Sequence, residues 1–411
     1  MRLVLLSAVA ASAAAGVQED RLRRDAVDRA AQRLALRGAR LAGDFARPAA
    51  ASDGGPDEAP PTAALPSTDR VAVFGACDAG YVERYWAAFA SLGCAGADAY
   101  LLVDDAAPAA MAALRRRTPP RLRLHYVAAR WAPALDAPAL DTRWPYMAYA
   151  WAAGPQIFHE AGYVHALYVD GDVFATPAFD CAGLARRLAP MLDAGPATAA
   201  AAVVAVGESS LFTMVAALGA TDADELTRLG GVVGLALPAL VGDSRLIANT
   251  GVLFFGCGRA AAAEFFERFL DALWLTAQVV SVRGDMHVFG VMTLADAGLA
   301  SFGLPLALNF RFDKSVAALT VLPTGQVHFE YLPAPVVLTA EDVEIAHFNW
   351  CKPWDSPEKW AASPDCADAV RRNLADQWRA ANATLFAEAE ADLLKGARPL
   401  RTAQEGPLFR R

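Results

Sequence analysis

Ala166-Leu167-Tyr168-Val169-Asp170-Gly171-Asp172-Val173 is an apolar run that opens onto two carboxylates two residues apart. The run has the length and bounds of a buried strand, so Asp170 and Asp172 leave the element where the backbone turns away from the core. Two carboxylates held there repel one another, and a hard divalent cation, which prefers oxygen ligands, relieves that repulsion. An Asp-x-Asp after an apolar run also occurs as a plain strand-exit turn. What surrounds the pair has to decide.

Upstream, Val71 to Phe74 form an apolar run bounded by Gly75. Apolar residues recur at helical spacing from Tyr81 to Leu92, and a second apolar run covers Ala99 to Val103. A further run at Leu122 to Val127 and a helix predicted over 145–161 lead into the run His165 to Val169. This alternation predicts an α/β fold with a mostly parallel sheet flanked by helices, in which ligands sit at the carboxyl ends of the strands. Asp104-Asp105 and Asp170-Gly171-Asp172 both fall at such ends. Downstream come a run at Ala200 to Val206, a Gly- and Ala-rich insertion from about Gly207 to Ser244, and a run from Leu246 to Phe255 that holds Asn249-Thr250-Gly251. Helices are expected over 259–277 and 285–297, short strands near 300–302 and 343–348, and a helical tail around Trp378 and Leu385.

The chain has 411 residues, 55% of them hydrophobic and 20% charged, which is enough for a large buried core. The net charge of −8 argues against a nucleic-acid partner and leaves room for a small anionic ligand held by a few placed cations. Residues 1–16 pair Arg2 with a short apolar run ending in small residues and read as a signal peptide, too short for a membrane span of roughly 20 residues. Residues 17–68 read as a helical stem and a Pro- and Ala-rich linker, 69–355 as the main domain and 356–411 as a C-terminal helical tail. The six cysteines show no C-x-x-C spacing, so a zinc site is not expected. Disulfides of open connectivity are, given an oxidising compartment. In that compartment Asn382-Ala383-Thr384 would be a glycosylation acceptor.

A phosphatase of the haloacid dehalogenase type also opens on Asp-x-Asp after a strand. It places that motif on its first strand, however, and Phe174 stands where a small hydroxyl residue belongs. The ordered set Val71-Ala72-Val73-Phe74-Gly75-Ala76 with Tyr81, Leu102-Val103-Asp104-Asp105, Arg143 before a helix, Tyr168-Val169-Asp170-Gly171-Asp172, Asn249-Thr250-Gly251-Val252, Gly284-Asp285, Leu308-Asn309-Phe310 and His347-Phe348 ending in Lys352-Pro353-Trp354 instead resembles glycosyltransferase family 8, the glycogenin-like retaining enzymes, over about residues 70–355. The resemblance implies a GT-A fold, a UDP-sugar donor and Mn²⁺ or Mg²⁺. By the same resemblance Asp170, Asp172 and His347 are the metal ligands, and Lys352 holds the diphosphate. Phe74, Gly75, Ala76, Gly171 and Tyr81 line the nucleotide, Asp104 reaches base or ribose, and Arg143, Asn249 and Asp285 bond phosphate and sugar hydroxyls. On residue chemistry alone Tyr81 fits a core aromatic equally well, because it also follows the helical period.

Two departures from the family pattern stand out. Met286 occupies the place of a glutamine that lies nearest the reacting face of the sugar. The segment His347-Phe348-Asn349-Trp350-Cys351-Lys352 is one residue shorter than the family's and lacks its glycine. The expected activity is transfer of a sugar to a hydroxyl of a glycan, protein or small-molecule acceptor in the secretory pathway, in the Golgi lumen or after secretion. A sugar-nucleotide-binding protein without turnover is the alternative. Segments 207–244 and 309–314, lying between donor motifs, are the expected acceptor contacts.

Overall fold

Val71–Cys77 (β1), Asp98–Val103 (β2), Leu124–Ala128 (β3), His165–Val169 (β4), Val203–Ser210 (β6), Leu246–Phe255 (β7) and Ala300–Ser301 (β8) form the central sheet of the computed structural model. Its strand order is β3-β2-β1-β4-β7-β6-β8. The structure describes residues 71–394 apart from 95–96, 105–106, 130–145, 194–202, 211–245, 280–284, 296–298, 302–303, 312–315, 322–326, 332–336, 340, 349–350, 363–365 and 367–368. Strands β1 to β4 pair in parallel, β7 runs antiparallel to both β4 and β6, and β6 pairs in parallel with β8. The mostly parallel α/β sheet expected from the alternation is therefore what the chain forms.

Side chains leave successive residues of a strand on opposite faces, so each strand feeds two cores. Ala72, Phe74, Ala76, Ala166 and Tyr168 face one layer, with Trp151, Phe265, Phe269 and Phe289. Val71, Val73, Leu167 and Val169 face the other, with helix Val82–Leu92 (α1) through Val82, Tyr85 and Phe89. Helices Pro108–Arg117 (α2) and Leu184–Asp193 (α4) were not foreseen. The helix expected over 145–161 is instead a 3₁₀ stretch, Tyr146–Ala153, followed by α-helix Gly154–Glu160 (α3). Pro155, which has no N–H to donate, starts the α-helix rather than continuing one. Gly154 meets the Phe74 ring, and a Cβ there would lie 2.2 Å from it. Helices Phe265–Val279 (α5) and Asp285–Ala295 (α6) follow β7 as expected. Strand β6 carries on through Ser210, so the insertion expected from Gly207 begins later, and 211–244 lies outside the described residues.

Two smaller sheets complete the structure. Val316–Val321 (β10), Val327–Tyr331 (β11) and Val337–Thr339 (β12) form an antiparallel meander. Val173–Ala175 (β5), Phe310–Arg311 (β9) and Ile345–His347 (β13) form the other, with β13 central. Helices Pro357–Ala362 (α7) and Ala369–Leu394 (α8) follow. Trp360 and Trp378 bury against Phe310 and Phe348, and Leu385 buries against Trp86 of α1. Disulfides join Cys94 to Cys181 and Cys351 to Cys366, whereas Cys77 and Cys257 are free and buried.

Candidate metal centre

The order of the first strands reverses between β1 and β4, a switch point at whose carboxyl edge open α/β sheets bind ligands. Pairing of β1 with β4 ends at Phe74 and Tyr168, while pairing with β2 continues to Cys77. The gap is filled by Tyr85, whose ring lies over Gly75 and Gly171 and whose hydroxyl donates to the Ala76 carbonyl at 2.9 Å. A Cβ on Gly75 would come within 2.2 Å of that ring and one on Gly171 within 2.9 Å, so both positions need glycine for the ring to sit there.

Asp170 and Asp172 emerge from β4 into this gap, and three strand pairings bring distant residues to them. The β4–β7 register sets Gly251 opposite, where its carbonyl accepts from the Asp170 N–H at 2.9 Å. The β5–β13 register pairs His347 with Val173, directly after Asp172, and the Asp172 carbonyl accepts from the Phe348 N–H at 2.9 Å. Strand β9 lies on the other side of β13 and pairs Arg311 with His347, which places Asn309 beside the ring. One ligand atom each from Asp170, Asp172 and His347 falls within 4.8 Å of the others. His347 Nε2 lies 3.6 Å from Asp170 Oδ2 and 3.5 Å from Asp172 Oδ1.

A hydrogen-bond relay orients the imidazole. Asn249 Oδ1 accepts from the Gly251 N–H at 3.0 Å and from Asn309 Nδ2 at 2.8 Å. That leaves Asn309 Oδ1 to accept from His347 Nδ1 at 3.0 Å. With the proton on Nδ1, the Nε2 lone pair faces the carboxylates, which is how ligating histidines are prepared. Gly251 is equally constrained, since a Cβ there would lie 2.0 Å from the His347 ring. The donor set of two carboxylates and one ring nitrogen fits a divalent cation.

The two aspartates differ. Asp170, with 34% of its side chain exposed, accepts from the Tyr168 hydroxyl at 2.5 Å. Burial, then the charge of Asp172, pushes its carboxyl up to about 7. Asp172 is 6% exposed and ion-paired with Lys352 Nζ through Oδ2. Burial works against its charge too, but the Lys352 ammonium outweighs that and holds its carboxyl below the usual range. Lys352 thus covers one oxygen of Asp172.

The remaining expected residues fall around this centre. Asp285 heads α6, where it accepts from Trp151 Nε1 at 2.6 Å, and burial raises its carboxyl in spite of bonds from Trp151 and Thr250. Met286 follows it, partly exposed. Asp104 Oδ1 accepts from the Ala79 N–H at 3.0 Å and so fastens the turn that leaves β1. Tyr81 ends that turn and is 45% exposed, under the Arg84 guanidinium at 3.8 Å from its ring centre, so the core reading fails. Phe74 lies in the paired middle of β1 with its ring in the core, while Gly75 and Ala76 border the gap. Arg143 lies outside the described residues. Asn249 and Asn309 sit in the relay behind His347. Asn249 Oδ1 is engaged within the protein, and Asn309, fully buried, cannot serve as the acceptor contact expected of segment 309–314. Tyr85, Trp151, Tyr168 and Gly251 were given no role from sequence.

No protein-family model matches the sequence, and neither does any curated protein. Similar solved structures include glycosyltransferases. The galactosyltransferase LgtC in complex with donor and acceptor sugar analogs is 17% identical at a TM-score of 0.47 over 76% of this chain and 95% of its own. The bifunctional glycosyltransferase WbbM is 14% identical at 0.48 over 80% and 52%. The glycosyltransferase GlyE of Streptococcus pneumoniae TIGR4 is 14% identical at 0.38 over 80% and 64%.

Proposed function

We propose that the protein is a retaining glycosyltransferase of the GT-A kind, of the family 8 type that its motifs resemble, which takes a sugar from a UDP-sugar and passes it to an acceptor hydroxyl. The observation that carries this reading is the convergence of Asp170, Asp172 and a His347 with a set tautomer at the β1–β4 switch point, with Lys352 beside them. Asp170, Asp172 and His347 would hold Mn²⁺ or Mg²⁺, and that cation would neutralise charge on the departing diphosphate. Lys352 adds a compact positive charge at the same place and serves the leaving group as its bond to the sugar lengthens. Tyr168 and the Asn249–Asn309 relay keep the ligand residues in place, so no reorganisation is needed as charge develops. Gly75, Gly171 and the exposed Tyr81 ring border the space proposed for the nucleotide.

A second reading, binding of the sugar nucleotide without turnover, is favoured by Met286, which brings no hydrogen-bonding group where the family carries glutamine. Calorimetry with UDP and Mn²⁺, followed by sugar release from a panel of UDP-sugars, separates the two. Binding with turnover of one donor supports the transferase, and binding with none supports the second reading. A UDP affinity indifferent to Asp170→Asn and Asp172→Asn sinks both. We place the protein in the secretory pathway, a reading supported by the two disulfides and the N-terminal segment. No helix among the described residues is long and apolar enough to cross a membrane. Asn382 lies within α8, so a glycan there would have to be added before that helix forms.

A further inference from the structure

Lys352 lies in no helix or strand, yet its backbone is fastened from several directions. Its N–H donates to Asp355 Oδ2 at 3.0 Å. Its carbonyl accepts from Trp360 Nε1 at 2.9 Å and from the Asp355 N–H at 3.0 Å. On one side Cys351 is tied by its disulfide to Cys366, and buried Arg371 of α8 donates to Cys351 Sγ at 3.4 Å. On the other side the Pro353 carbonyl accepts from Arg379 Nε of α8 at 2.7 Å, and the Trp354 ring packs 5.7 Å from that of Trp378. Arg379 also lies 5.0 Å over the Trp360 ring, and Lys359 pairs with Asp355 at 2.8 Å, so the fasteners hold one another.

A lysine head group sits on a flexible four-carbon stem, and its charge is only as well placed as its backbone. We propose that Asp355, Trp360 and the Cys351–Cys366 disulfide form a carrier that positions Lys352 for the leaving diphosphate, coupling the C-terminal helices to the chemistry. The carrier compensates for a segment one residue short and without glycine, and makes the placement of the lysine sensitive to reduction of one disulfide. This rests on the role proposed for Lys352.

The carrier has a signature of opposite signs. Lys352 Nζ is ion-paired with Asp172 Oδ2, and that contact competes with a cation for the oxygen. Loosening Lys352 therefore strengthens binding of Mn²⁺ alone and weakens binding of UDP at saturating Mn²⁺. General damage weakens both. Titration calorimetry with these two probes is run on the full chain and on Trp360→Phe, which keeps a buried ring but loses the donor. It is repeated on Asp355→Ala, Asp355→Asn, the double variant Cys351→Ala/Cys366→Ala, and Lys352→Met as the limit. The expected result is UDP affinity down about fivefold for Trp360→Phe and about tenfold for the double cysteine variant, with Mn²⁺ affinity up. Asp355→Asn, which keeps an acceptor for the Lys352 N–H, stays near wild type, whereas Asp355→Ala shifts. If Lys352→Met shows both changes and the carrier variants show neither, or lose both affinities together, the carrier is refuted. If Lys352→Met leaves UDP affinity unchanged, it is the proposed role of Lys352 that fails.

Discussion

Substituting Asn309 by alanine removes one residue and breaks the relay at two points. The side chain is fully buried, donates to Asn249 Oδ1 at 2.8 Å and accepts from His347 Nδ1 at 3.0 Å. His347 Nδ1 loses its partner while Asn249 Oδ1 keeps the Gly251 N–H, and one buried polar group left unpaired costs about 1–3 kcal/mol, so unfolding stability should fall by about 2 kcal/mol. The imidazole then has nothing to keep its proton on Nδ1. Loss of such an outer partner typically weakens metal binding about 10–100-fold, or about 1.4–2.8 kcal/mol. Asn309→Asp separates the two effects. It keeps an acceptor for His347 but sets a carboxylate against Asn249 Oδ1, so stability falls while Mn²⁺ affinity holds. Thermal melts read the first quantity and calorimetric titration with Mn²⁺ the second. A folded Asn309→Ala protein binding Mn²⁺ within about twofold of wild type, when His347→Ala does not, would refute the relay.

Four further outcomes follow from the site. Gly251→Ala puts a methyl group 2.0 Å from the His347 ring, so it should cost at least about 2 kcal/mol in a melt and cut Mn²⁺ affinity to that of His347→Ala. Because Asp170 must ionise to ligate and titrates at about 7, Mn²⁺ affinity should be full above that pH and fall up to about tenfold per unit below it, and titrations at several pH values with no such slope would contradict the assignment. The stability of the metal-free protein follows the same shift: the raised carboxyl of Asp170 stabilises the fold in acid, and that contribution is lost as pH rises through about 7. Asp172, held low, contributes with the opposite sign, its share disappearing as acid protonates it. Trp151→Phe removes the donor to Asp285 Oδ2 and should lower stability by about 1–2 kcal/mol while raising that carboxyl further, and an unchanged melting temperature would count against it.

Much of the sheet could be read along the chain, because β1, β2, β4 and β7 are apolar runs with clear bounds, and β7 spans 246–255 as expected. Helix α2 escaped because it is Ala-rich and buries only Met111, leaving little periodic contrast. Helix α4 carries Leu184, Leu188 and Leu192 at helical spacing, but Pro190 inside it reads as a breaker. The Asp pair was visible because both members share one strand exit. Its meeting with His347 depends on the β5–β13 register, a long-range pairing that no local pattern encodes, and was reached only through resemblance. The same holds for Asn309, whose partners lie 60 residues before it and 38 after it. Both disulfide pairings likewise needed the fold.

The sequence separation of 180 between Asp172 and Lys352 gives the site a history as well as a geometry. During synthesis the acidic pair leaves the ribosome long before the strand that carries His347, so the growing chain holds two repelling carboxylates and no third ligand. Capture of a cation by all three of the proposed ligand residues would have to wait until β13 has docked onto β5, one of the last pairings the chain can make. Metal occupancy would therefore report completed folding, and a product truncated before β13 would stay metal-free even with its parallel strands assembled.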